Sequence, residues 1–204
     1  PPLVRNDRVL DIDSQQAHAC HYNANRRSSV GRLDEAMRCY DRALELDPRD
    51  ANSWYNKGTC LRQLGRLHEA VHALDRAVGN DPRLAGAWHS RGVTLDHLGR
   101  LEEAIACYDR ALEIDPYDAN VWHDKGRCFA KLERLAEAVS CYDRILEIDP
   151  LLPEVWASKG DSLSTLERFA EAIVCYERAL QLDPGNVDAW HNKGKSLSKL
   201  GHFE

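Results

Sequence analysis

Residues 85–118 read AGAWHSRGVTLDHLGRLEEAIACYDRALEIDPYD, and nearly the same text precedes them over 51–84 and follows them over 119–152. The spacing is fixed by three columns of punctuation. Prolines stand at Pro48, Pro82, Pro116, Pro150 and Pro184, tryptophans at Trp54, Trp88, Trp122, Trp156 and Trp190, and glycines at Gly58, Gly92, Gly126, Gly160 and Gly194. Each column advances by 34 residues, as from Pro48 to Pro82. A fixed period in the range of roughly 20–50 residues marks an array of stacked units, in which each unit covers the apolar face of its neighbour.

Each unit contains two helical segments. The first, Ala85–Leu98 in the quoted stretch, is apolar at Trp88, Gly92, Leu95 and Leu98, with the Arg91 stem on the same side. The second, Leu101–Ile114, is apolar at Leu101, Ala104, Ile105, Tyr108, Ala111 and Leu112. Steps of three and four put these residues on one helical face. Gly99-Arg100 is a short break suited to a left-handed helix end. Asp115-Pro116 stops the second helix, because proline disfavours helix in the residue before it. The small residues Gly92 and Ala104 recur as Gly58/Ala70, Gly126/Ala138 and Gly160/Ala172, where helices must cross closely, and the aromatic anchors of each unit, here Trp88 and Tyr108, are expected in the core.

Trp, Gly and Leu on the first helix with Ala, Tyr, Ala and Pro on the second resemble the tetratricopeptide repeat (TPR), over essentially the whole chain from Asp7 to Glu204. The resemblance implies an all-α, right-handed superhelical solenoid of antiparallel helix pairs, with a concave groove lined by first helices that receives a partner peptide or helix. Residues 1–16 fit the second helix of a preceding repeat. Whole repeats follow at 17–50, 51–84, 85–118, 119–152 and 153–186, and 187–204 fits the first helix of another, as expected of a piece of a longer array.

Departures from the pattern carry their own expectations. Cys20, Ala24 and Arg27 stand where other units have Trp, Gly and an apolar residue, so 17–50 should be the least well packed whole unit. Val78-Gly79-Asn80 should fray the end of its helix, and Glu133 and Glu167 replace the glycine of the break. Lys57, Arg91, Lys125, Lys159 and Lys193 occupy a column where such repeats usually carry Leu. Their stems can pack beside the preceding Trp while the charge reaches water, or the column can serve as a track for phosphate or an acidic partner.

The repeats also form an internal alignment. Relative to each Trp, positions −2, +1, +2, +5, +8 and +9 change from unit to unit and share one helical stripe. By the resemblance this stripe faces the groove. Its candidate partner-binding residues are His21 and Asn25 in the first whole unit, and Tyr55, Asn56, Thr59 and Arg62 in the second. They continue as His89 and Ser90, then His123, Asp124, Arg127 and Lys131, then Asp161, and last His191 and Lys195. Asp96 lies on the same stripe. Tyr55 is the best aromatic anchor. The column His21, His89, His123 and His191 reads as solvated helix surface or as partner contact that titrates near neutrality. It does not make a metal site, with one His per unit, and the i,i+4 pair His68 and His72 lacks a third ligand. Some TPR cofactors grip a C-terminal carboxylate with Lys and Asn. Here Asn25 and Asn56 match that pattern, but His21, Gly86 and Ser90 replace its bases.

Charge and composition narrow the classes. With 27 Lys+Arg against 33 Asp+Glu the net charge is -6, which disfavours generic nucleic-acid binding. No apolar run is long enough to span a membrane. The seven cysteines follow the repeat and read as small buried hydrophobes in a reducing, cytoplasmic setting, without a CxxC metal motif. The expectation is a non-enzymatic scaffold for a protein or peptide partner, without cofactor or metal. The alternative is the substrate-recruiting arm of a larger glycosyltransferase, protease or kinase. Open solenoid ends would also favour self-association. Catalysis by this stretch itself has no nucleophile–base pair, phosphate loop or carboxylate dyad to support it.

Overall fold

The computed structural model describes Tyr22 and residues 32–201, and these hold ten α-helices and no strand. The helices are α1 Leu33–Leu46, α2 Ala51–Gln63, α3 Leu67–Asn80, α4 Ala85–His97, α5 Leu101–Ile114, α6 Ala119–Lys131, α7 Leu135–Ile148, α8 Pro153–Thr165, α9 Phe169–Leu182 and α10 Val187–Lys199. The chain divides into two compact units, 1–100 and 101–204. The expectations placed on residues 1–21 and 23–31, including His21, Asn25 and the packing around Cys20, lie outside the described residues.

In the first unit α1 packs on α2, α2 on α3 and α3 on α4, and α2 also touches α4. In the second unit each of α5 to α9 packs on the next helix, and α8 also touches α10. Consecutive helices therefore form hairpins that nest side by side within each unit. The crossings are held at the small residues. Ala70, Ala104, Ala138 and Ala172 have no exposed surface. A Cβ on Gly58 would lie 2.7 Å from Leu74 Cγ, and one on Gly160 would lie 2.7 Å from Tyr176 Cε1. Large side chains on the second helix thus fill the space that glycine leaves on the first.

The turns follow from the sequence as expected, with added detail. Asp47, Asp81, Asp115, Asp149 and Asp183 each accept a hydrogen bond from the backbone N–H two residues on, at 2.9–3.1 Å. This turn pins the Asp–Pro step between second and first helices. Asp50 and Asp118 cap α2 and α6 through their side chains, while α8 starts on Pro153. In the break between first and second helices, Gly65 and Gly99 take φ of 74°, and Glu133 and Glu167 hold the same left-handed region at 58° and 59°. For a residue with a Cβ that conformation costs about 1–2 kcal/mol.

Two expectations are corrected. The end of α3 does not fray: the helix runs through Asn80, and the Asp81 N–H bonds to the Ala77 carbonyl at 2.9 Å. Ala77 and Val78 are buried against Trp54, Tyr55 and Trp88, and that packing outweighs the poor helix propensity of Gly79. The Trp column is not fully in the core. Trp54, Trp88, Trp122 and Trp156 are half-buried, and Trp190 is 55% exposed. Each indole N–H donates to the carbonyl of the proline six residues earlier, at 2.9–3.1 Å, so the column staples the inter-repeat turn to the first helix. The deep aromatic core is the tyrosine column, as expected of Tyr108: Tyr40, Tyr108 and Tyr176 are at most 1% exposed. Cys60, Cys107, Cys128, Cys141 and Cys175 are buried and form no disulfide. No helix among the described residues is long and apolar enough to cross a membrane.

Candidate partner-binding face

The first helices α2, α4, α6, α8 and α10 bury the positions that repeat and leave outward many of those that change. On α6, Val121, Gly126, Cys128 and Phe129 are buried, His123 and Asp124 are half-buried, and Arg127 and Lys131 are exposed. On α10 the buried residues are Ala189 and Ser196, while His191 and Lys195 are exposed. On α2, Tyr55, Asn56, Thr59 and Arg62 are half-buried, as are His89 and Ser90 on α4. Asp96 departs from the stripe: at 9% exposure it is buried and offers a partner little. Tyr55 is less available than an isolated anchor would be. Its ring packs against Ala77, Val78 and Ala87, and its hydroxyl lies 3.4 Å from where a Cβ on Gly86 would stand.

The histidines do not share one environment. His191 is exposed, whereas the His123 ring lies 6.4 Å from the Tyr142 ring, tilted by 50°. Burial pushes the His123 pKa below its ordinary value, opposed by Asp124 and Glu154 and reinforced by Arg127. No group of three or more His, Cys, Asp or Glu side chains among the described residues is placed to hold a metal ion.

The side chain of Asp161 is fixed from two directions. Its Oδ1 accepts the Tyr176 hydroxyl from α9 at 2.8 Å and the Asn192 amide from α10 at 2.8 Å. Ser164 and Ser196 meet beside it at 3.2 Å. Burial first, and then the bond to Asp161, raise the Tyr176 phenol, while burial pushes Tyr142 up to about 12 and Cys141 up to about 11. Asp161 is therefore both an exposed acid and a tie between three helices. The role was missed because Asn192 belongs to the next repeat. The available signal was the buried Tyr176 hydroxyl, which requires a partner.

The basic column lies beside the preceding Trp, as expected, but its charges are paired within the fold. Lys57, Arg91, Lys125, Lys159 and Lys193 pair with Asp41, Asp75, Asp109, Asp143 and Glu177 on the preceding second helix, at 2.5–2.9 Å. The Lys57, Lys125, Lys159 and Lys193 ammonium groups also stand 4.9–5.7 Å from the centres of their Trp rings. These charges are therefore paired within the fold.

Family models described as tetratricopeptide repeat match residues 23–83, 61–119 and 97–161, and one described as TPR repeat matches 160–201. No curated protein sequence matches the chain. Among solved structures, YrrB, described as a TPR protein with an unusual peptide-binding site, superposes with a TM-score of 0.79 at 25% identity, covering 92% of this chain and 97% of its own. MamA from Desulfovibrio magneticus RS-1 gives a TM-score of 0.77 at 18% identity, covering 84% of this chain and 97% of its own. PilF of Pseudomonas aeruginosa gives 0.76 at 18% identity, covering 93% of this chain and 86% of its own.

Proposed function

The chain belongs to the tetratricopeptide repeat family, and from that premise we propose that it is a non-enzymatic scaffold whose first helices dock an extended or helical segment of a protein partner. The observation that carries this reading is the division of the first helix: most residues that recur are buried or half-buried and form the fold, while many of those that change between repeats are left toward solvent. A surface free of packing duty can vary to suit a ligand. Its polar groups suit a peptide: Asp161 and Lys195 offer exposed charge, and Arg127, paired with Asp124 at 3.3 Å, is exposed on α6. The peptide-binding site named for YrrB supports the same reading by likeness of fold. In this reading the repeats divide at 51, 85, 119, 153 and 187, so each contributes one first helix to the docking face.

The test uses a partner captured from an extract of the cells that make the protein. Arg127→Ala with Lys195→Ala, both exposed, should weaken the captured partner by about tenfold, or roughly 1.4 kcal/mol, without change in helicity. Arg110→Ala with Arg144→Ala, on second helices, should leave binding unchanged. The reverse pattern would remove the assignment.

A further inference from the structure

We propose that the cleft between the α6–α7 turn and α8 receives one cationic side chain, arginine or lysine, of the docked segment. The proposal rests on the docking reading above and adds the partner's chemistry. A cavity of about 500 Å³ lies here, lined by Ala130, Glu133, Leu135, Asp161, Ser162 and Thr165. That size falls within the roughly 300–1,000 Å³ of sites that hold small ligands or side chains. Its lining is mainly apolar, with Ala130 and Leu135 on it. Both charged groups on it are acids, and no basic side chain lines it. A long aliphatic stem with a cationic head complements a carbon floor and an acidic rim.

Each acid has capacity to spare. Glu133 is exposed, and its carboxylate has no hydrogen bond or ion pair among the described residues. Its neighbour Arg134 is already taken: the guanidinium bonds Glu137 at 2.9 Å and lies 4.6 Å from the centre of the Phe129 ring. Asp161 accepts both of its hydrogen bonds on Oδ1, which fixes the carboxylate and leaves Oδ2 open. A guanidinium carries five donors in a fixed fork and suits a mouth lined by two carboxylates. The next repeat supplies an internal contrast. There Glu167 matches Glu133 in register, but Lys195 stands at the position of Asp161, so that site already carries a cation of the chain's own.

The experiment is a titration of the ¹⁵N-labelled chain with N-acetyl-arginine amide, with N-acetyl-citrulline amide as the neutral isostere. The arginine probe should shift the amides of Glu133, Ser162 and Thr165 saturably, and citrulline should not. Glu133→Gln should weaken the arginine probe about fivefold or more. Glu133→Gly should lose binding equally while raising Tm, since glycine takes the left-handed backbone without strain; that opposite movement separates a binding role from a structural one. Equal shifts with citrulline, unchanged affinity in Glu133→Gln, or no shift with arginine would each overturn the proposal. A partner segment that perturbs first-helix amides yet ignores Glu133→Gln would refute the cleft while leaving the docking face standing.

Discussion

The first and second helices of this chain close their outward charges to different degrees. On the second helices and the turns that open them, arginine and glutamate three residues apart close on each other: Arg32–Glu35, Arg42–Glu45, Arg66–Glu69, Arg110–Glu113, Arg134–Glu137, Arg144–Glu147 and Arg168–Glu171. The arginine bonds hold the Glu69, Glu137 and Glu171 carboxyls below their ordinary range. On the first helices Arg127 closes on Asp124 at 3.3 Å, but His191, Lys195 and the open oxygen of Asp161 are not closed in this way. Exposed pairs of this kind add little stability. A partner arriving at the second helices would have to break such pairs; at the first helices it meets groups still able to bond. The difference teaches where recognition fits in a repeat whose two helices look equally polar when read along the chain.

The packed side of a first helix marks the limit of the open face, and changes there should have the largest effect. Gly160→Ala drives a Cβ into the Tyr176 ring and should cost about 1–3 kcal/mol in urea unfolding. Gly194→Ala, with no atom within 4 Å of the new Cβ, should instead gain up to about 1 kcal/mol from helix propensity. The two glycines share one repeat position, so equal effects would mean that the Tyr176 ring does not set the fit at Gly160.

A smaller effect should come from the tie that crosses between the two kinds of helix. Tyr176→Phe removes the bond to Asp161 and should cost about 0.5–1.5 kcal/mol, read from the same unfolding curves. No loss would mean that Asp161 is held by Asn192 alone and belongs wholly to the open face.

The smallest effect should be the pH dependence at His123. Its folded pKa is depressed by burial below the ordinary 6.5, so the stability due to the neutral ring is present above about 6.5 and is lost as pH falls through the lower folded value. The groups facing it, Asp124, Glu154, Arg127 and Tyr142, modulate that loss. Tm of the native chain should therefore fall more between pH 7 and pH 5 than Tm of His123→Gln. An equal fall would place His123 in the same solvated state as His191.

Most of the fold was legible because its determinants are local and repeated: Trp, Gly, Ala and Pro at a constant spacing admit one stacking. What escaped was carried by contacts between repeats. The Lys57–Asp41 pair spans sixteen residues, and the Asn192–Asp161 bond spans thirty-one, so neither appears when one helix is read at a time. The end of α3 escaped for a different reason: propensity at Gly79 is a local signal, and the burial of Val78 that overrides it is not. The stripe of changing positions was found by comparing repeats, but their burial was not, as Asp96 and the half-buried Tyr55 show.

Hydrogen–deuterium exchange on the complex with a captured partner tests the central claim most directly. The account predicts added protection along 119–131, 153–165 and 187–199, with 135–148 and 169–182 unchanged. Protection concentrated on 135–148 and 169–182 would contradict it.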